Sequence, residues 1–178
     1  MSNSTANSVG VRAYEPADYA RVREILDQGN LFYEPFDASE RLNEKILRDP
    51  KSIFVAVRSS EIIGTVSIME DGRMPFIFRL AVKQEFRNAG IGIMLMDSAE
   101  KELFSRGYKE VHILVETENE QLQGYYAKQG YEKGNSYRWM TKERWKTTAF
   151  FLEKTRCKGQ EGQCFLIDDQ RHIASDKK

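Results

Sequence analysis

The chain predicts a mixed α/β fold, of the α+β kind, with helices laid on a sheet that has both antiparallel and parallel neighbours. Three observations carry this expectation. Short strand-like runs alternate with helix-like runs along the chain, and the strongly amphipathic run Ile93 to Arg106 stands between two apolar runs, Phe76 to Val82 and Val111 to Val115. A chain of 178 residues, 40% hydrophobic and 11% aromatic, is also long enough for one sizeable core.

In chain order, residues 1–8 are small and polar and read as a flexible N-terminus. Val9 to Tyr14 alternates as a short strand. Pro16 suits a first helical turn and opens a helix through Asp27, with Gly29 as its stop. Leu31 to Asp37 is a loop, and a second helix runs from Ala38 or Ser39 to about Arg48, ended by Pro50. Ile53 to Val57 and Ile62 to Ile68 form a hairpin across the polar Arg58-Ser-Ser-Glu61, and Asp71-Gly72 turns the chain into the strand Phe76 to Val82.

The next helix is the clearest element: Gly92, Leu95, Met96, Ala99 and Leu103 share a face, with charged residues opposite and Gly107 as C-cap. With Val111 to Val115 it completes a β-α-β unit, for which a parallel pair is expected. Asn119 is placed as the N-cap of a short helix carrying Leu122, Tyr125 and Tyr126 on one face and ending at Gly130. Tyr131 to Met140 and Thr147 to Glu153 read as two final antiparallel strands. The expected domain is therefore single, over 9–155, followed by a polar tail at 156–178.

Composition excludes several functions. Lys plus Arg and Asp plus Glu are both 27, so no basic field favours nucleic acid. No run approaches the roughly 20 apolar residues that span a bilayer, and the start lacks a basic-then-apolar leader, which gives a soluble, cytoplasmic expectation. With Cys157, Cys164, His112 and His172 as the only cysteines and histidines, no metal site is expected, and the cysteines read as unpaired tail thiols.

The segment Arg87-Asn-Ala-Gly-Ile-Gly92 joins a strand to a helix, where unpartnered N–H groups and the helix dipole favour a phosphate. No Lys-Ser or Lys-Thr follows either glycine, so it is not a P-loop, and Leu95 stands where a dinucleotide fingerprint needs a third small residue.

These residues resemble the GNAT family of N-acetyltransferases. Arg87, Gly90 and Gly92 match its pyrophosphate motif, and Asn119, Leu122, Tyr126, Gly130 and Tyr131 match its second motif in the right order. The resemblance spans about 9–154 by element order and is strongest over 78–131. It implies a sheet of about seven strands, mostly antiparallel, with a central splayed parallel pair and about four flanking helices. It further implies acetyl-CoA as cosubstrate and direct transfer of acetyl to a primary amine in a ternary complex. Leu80, Ala81 and Val82 would meet the pantetheine arm by their main chain, Arg87, Asn88, Ala89, Gly90, Ile91 and Gly92 would hold the pyrophosphate, and Asn119 would contact the arm from the other side. Tyr126 would be the general acid, ahead of its neighbour Tyr125.

Some family members carry a Glu on the strand before the phosphate turn, and this strand has none. Glu70, Asp71 and Glu116 are the candidate bases beside a water relay. The resemblance places the acceptor against the loop holding Phe32, Tyr33, Glu34 and Asp37, whose rings and acids would suit a cationic amine with an apolar body. His112 reads as a packed or solvated imidazole. Two alternatives stay open: a non-catalytic acyl-CoA-binding or regulatory domain, and an enzyme acting on protein N-termini or lysines. The apolar Phe150-Phe151-Leu152 would serve a homodimer.

Overall fold

The computed structural model describes residues 8–142. The chain divides after Gln129 into two units, and every described helix and strand lies in the first. It begins with β1 (Val9–Ala13), followed by a 3-10 turn at Pro16–Asp18 that leads into α1 (Tyr19–Gln28) and then α2 (Ser39–Arg48). The strands β2 (Ile53–Arg58), β3 (Glu61–Glu70) and β4 (Pro75–Val82) come next, then α3 (Ile91–Ser105) and α4 (Glu120–Ala127).

The four strands form one sheet in the order β1-β2-β3-β4, each pair antiparallel. Ser59 and Ser60 close the β2–β3 hairpin with φ of 48° and 69°, the pair of left-handed residues that a two-residue turn needs to match strand twist. At the end of α1 the left-handed residue is Asn30 (φ 53°) rather than the stop glycine, Gly29.

Both sheet faces are covered. Val22, Ile25 and Leu26 of α1 and Leu42 of α2 pack on Ile53, Val55, Ile62 and Ala81. On the opposite face α3 buries Ile91, Leu95, Met96, Ala99 and Leu103. Gly92, expected on that face, is only half-buried, and Ile91 takes its place. Contact with α3 is close enough that a Cβ on Gly64 would stand 2.9 Å from Leu95 Cδ1 and 3.0 Å from the Ala81 carbonyl oxygen. Each fully buried Leu or Ile contributes roughly 1.5–3 kcal/mol, so the two layers hold the sheet from both sides.

Two expected strands differ. Val111 to Val115 contributes a single parallel bridge, His112 with Phe76. The reason lies in β4, where the register against β3 shifts between Thr65 and Ser67, so that Arg79 and Leu80 together face Val66. This bulge turns the edge of β4 out of phase with the neighbouring chain beyond His112. Tyr131 to Met140 forms no strand: residues 130–142, in the second unit, hold no regular element, and Tyr137, Trp139 and Met140 are exposed. The count among the described residues is therefore four strands rather than about seven, with four α-helices as expected. Thr147 to Glu153, Phe150 to Leu152, both cysteines and the tail lie outside the described residues. No helix among the described residues is long and apolar enough to cross a membrane.

One partly buried ion pair fixes the start of the fold. Asp18 is buried and accepts from Arg12 at 2.6 and 2.9 Å and from the Glu15 N–H at 2.8 Å. Hydrogen bonds from Arg12 hold its carboxyl below the ordinary Asp range, against the opposing effect of burial. A carboxyl depressed on folding stabilises above its unfolded value, near 3.9, and that contribution is lost as the pH falls below it. The urea midpoint is expected to fall between about pH 5 and 3, and to fall less in Arg12→Gln; equal slopes in the two proteins would contradict this assignment.

Candidate functional site: a forked strand edge and an anion turn

β4 lies at the edge of the described sheet and leads directly into the anion turn. At its start, Ile77 N–H donates to His112 O (2.9 Å) and His112 N–H to Pro75 O (3.0 Å); beyond these two bonds the chains part, and Leu114 is 72% exposed. At its end, Lys83 N–H donates to Ile63 O (2.9 Å), so Ala81 also turns its polar groups toward β3. By alternation Leu80 and Val82 turn theirs to the free edge. The fork thus leaves the main-chain groups of Leu80 and the Val82 N–H open to an extended ligand, whereas Ala81 is engaged in the sheet and the Val82 carbonyl accepts from Arg87.

The turn after β4 is shaped by two left-handed residues, Asn88 (φ 61°) and Gly90 (φ 78°), with Gly90 as the N-cap of α3. The first intrahelical bond runs from Met94 N–H to Gly90 O at 3.1 Å, so the N–H groups of Ile91, Gly92 and Ile93 are the orphan donors of the helix start. Nothing lies within 4 Å of where a Cβ on Gly90 would stand. Arg87 Nε donates to the Val82 carbonyl at 3.0 Å, which folds its guanidinium over the same end of β4. These donors fit a pyrophosphate.

α4 supplies the other wall. Asn119 Oδ1 accepts from Leu122 N–H at 3.0 Å and caps the helix. Tyr125 and Tyr126 meet edge to face, with centroids 5.2 Å apart. The Tyr125 hydroxyl is 3.0 Å from where a Cβ on Gly92 would stand, placing this phenol against the helix start. Tyr126 is half-buried; burial raises its pKa above 10, and Tyr125 adds to the effect. It therefore stays protonated at neutral pH, as a hydrogen-bond donor must.

The candidate bases separate. Glu116 is exposed, on the chain leading from the fork to α4, and its carbonyl accepts from Asn119 N–H (3.1 Å). Glu70 pairs with Pro75 across the sheet, at the far end of β4 from the turn, roughly 20 Å away by strand rise. Its carboxylate accepts from Tyr108 and from Gly72 N–H, which hold its pKa below the usual carboxylate range. Asp71 is spent on the N–H groups of Arg73 and Met74, both at 2.9 Å. A cavity of about 700 Å³ also lies at this far end, against Glu70, Arg73, Arg106 and Tyr108, and its polar groups are largely bonded to one another. The fork fits a long ligand better than this cavity does.

The aromatic loop is joined to β4 through Asp37 and Arg79. Tyr33 and Phe36 stack at 5.4 Å, both well exposed, and Glu34 is exposed. Phe32 packs on the core beneath Arg23 (4.9 Å). Asp37 is buried and bonded to Arg79 of β4. Sequence reasoning missed two residues here. Lys45 of α2 donates to Ile68 O (2.5 Å) and sits 5.3 Å from the Phe78 ring; burial pushes its pKa down to about 8. Its position three residues after the buried Leu42 was the available signal. Arg79, the lone charge in an apolar strand, was a visible anomaly with no local partner to explain it. The His112 ring lies 5.4 Å from that of Phe76, at the root of the fork.

Known proteins carry the same elements. The family described as Acetyltransferase (GNAT) family matches residues 19–131. An acetyltransferase of Pectobacterium atrosepticum is 30% identical over 122 residues, covering 68% of this chain and 86% of that protein. Two solved structures share the fold. The PaiA N-acetyltransferase of Thermoplasma acidophilum, solved with coenzyme A, has a TM-score of 0.63 at 20% identity and covers 73% of this chain and 93% of its own. The glucosamine-6-phosphate N-acetyltransferase of Arabidopsis thaliana has 0.60 at 22%, covering 77% and 99%.

Proposed function

The chain belongs to the GNAT acetyltransferase family, and from that premise we propose that it transfers acetyl from acetyl-CoA to a primary amine by direct attack in a ternary complex. The observation that carries the reading is the juxtaposition of the β4 edge at Leu80 and the Val82 N–H with the left-handed turn at Asn88 and Gly90. An extended ligand with an anionic end fits both at once. Arg87, Ala89 and the N–H groups of Ile91, Gly92 and Ile93 would hold its pyrophosphate, the open edge would bond its pantetheine arm, and Asn119 would face the arm from α4.

Acetyl-CoA supplies an activated acyl group; the chain's own residues supply position and hydrogen bonding. As the amine nitrogen bonds to the thioester carbon and the C–S bond breaks, Tyr126 donates a hydrogen bond to the departing sulfur; its pKa lies above that of the thiol, near 8.5, so the phenol keeps its proton and the leaving group departs as a stabilised thiolate that is protonated from solvent. The amine must lose a proton, and Glu116, exposed on the chain between His112 and α4, would take it directly or through water. Holding both reactants in line lowers much of the barrier. The exposed Tyr33–Phe36 pair and Glu34 would meet an acceptor with an apolar body and a cationic amine. Support for an amine acceptor comes from the structural neighbours, one of which is named for glucosamine 6-phosphate.

Thiol release from acetyl-CoA, measured with polyamines, amino acids, aminoglycosides and peptides, tests the proposal. At least one amine is expected to give thiol and acetylated product in equal amounts. Binding of acetyl-CoA with no transfer to any of them would favour a regulatory domain, and transfer to peptides alone a protein-modifying enzyme.

A further inference from the structure

Arg79 occupies the bulge of β4 with φ of 56°, a conformation that an unbranched L-residue adopts only at some cost in strain. From there its guanidinium grips one carboxylate with two nitrogens: Nε lies 3.0 Å from Asp37 Oδ1 and Nη2 3.0 Å from Asp37 Oδ2. Asp37 is 5% exposed, and its Oδ2 also accepts from Tyr33 N–H at 2.8 Å, while Asp37 N–H returns a bond to Tyr33 O at 3.0 Å. The α1–α2 loop is therefore closed on itself by Asp37 and fastened by Asp37 to the point where β4 is bulged beside the fork.

We infer that the Arg79–Asp37 pair is a latch that positions the aromatic loop over the fork, making Arg79 a positioning residue for the amine acceptor. This rests on the acceptor reading proposed above. A planar guanidinium matched to a carboxylate is directional as well as attractive, so it fixes the loop's distance and its orientation. The pair also alters what the loop offers a substrate. Asp37, one of the two acids in the loop, is neutralised by Arg79, which leaves Glu34 and the stacked Tyr33–Phe36 rings as the groups facing outward. The acceptor class this favours has an apolar or flat body and a single positive amine rather than a polycation.

Hydrogen exchange and kinetics of the full chain test the latch together. Arg79→Gly removes the side chain and relaxes the left-handed backbone at the same time, so the strand is spared. It is expected to speed exchange over residues 31–38 at least tenfold and to raise the acceptor KM about tenfold. The acetyl-CoA dissociation constant should stay within twofold and kcat should fall no more than about threefold. Arg79→Lys, which keeps the cation but not the two-nitrogen fork, should recover only a minor part of the loss, and Asp37→Asn should reproduce it. The acceptors used are 2-phenylethylamine, spermidine, kanamycin and a peptide with a free N-terminal serine, the first being favoured over spermidine. Unchanged exchange over 31–38 would overturn the latch, as would loosening spread over β3 and β4 or equal rises in both KM values. If the wild-type protein acetylates none of the four, the acceptor reading fails, while the exchange arm, including Arg79→Lys should the glycine variant not fold, still decides whether the latch exists.

Discussion

Tyr126→Phe is expected to lower kcat by about 10²–10⁴ while leaving the affinity for acetyl-CoA within about threefold. The substitution removes one oxygen and keeps the ring, so the edge-to-face contact with Tyr125 and the half-buried position survive. What is lost is a hydrogen-bond donor whose pKa burial holds above the ordinary phenol value. That donor is needed only as the thiolate leaves, and an interaction made only in the transition state appears in kcat rather than in binding. Tyr125→Phe is the contrasting variant. Its hydroxyl stands against the start of α3, beside Gly92, so its loss should raise the acetyl-CoA KM and spare kcat. Steady-state kinetics of the two variants separate the roles; a kcat loss in Tyr125→Phe with none in Tyr126→Phe would reverse the assignment.

Gly90→Asp is expected to weaken acetyl-CoA binding about a hundredfold with little change in stability. Gly90 is left-handed, and aspartate, like asparagine, enters that region more readily than other side chains. A carboxylate at the start of α3 also gains from the helix dipole, typically 0.3–1 kcal/mol, which offsets part of the backbone cost. The same carboxylate stands where the pyrophosphate is proposed to sit. Two like charges about 5 Å apart repel by roughly 3 kcal/mol at an effective dielectric near 20, about two decades in affinity. Gly90→Asn carries the same backbone demand without the charge and should lose far less. Opposite behaviour of binding and stability is the signature of a ligand seat; an ordinary strand-to-helix turn would show no difference between the two variants.

Much of this fold was legible because its signals are local. The α3 stripe, the Asn119 cap, the Pro16 start and the polar β2–β3 turn are written within a few residues and reappear within one or two positions of where periodicity and capping put them. The shape of the turn before α3 was legible for the same reason, since glycine spacing and an adjoining helix are enough to define it. What sequence could not show depends on distant pairing. The bulge at Arg79 changes which edge groups of β4 are open, and so confines the parallel pairing to His112 and separates Ala81 from Leu80 and Val82. The Arg79–Asp37 pair joins residues 42 apart in the chain, and nothing near either one announces the other. In the same way Glu70 looked available beside β4, yet Tyr108 and Gly72 claim its carboxylate.

The central claim is that the segment from Arg87 to Gly92 seats acetyl-CoA beside the open edge of β4, and calorimetric titration of acetyl-CoA into the wild-type protein and Gly90→Asp tests it most directly. Saturable one-to-one binding to the wild type, and a loss of about a hundredfold in the variant with a melting temperature close to that of Gly90→Asn, is the result expected. Equal affinity in the two proteins, or no binding to the wild type, would contradict it.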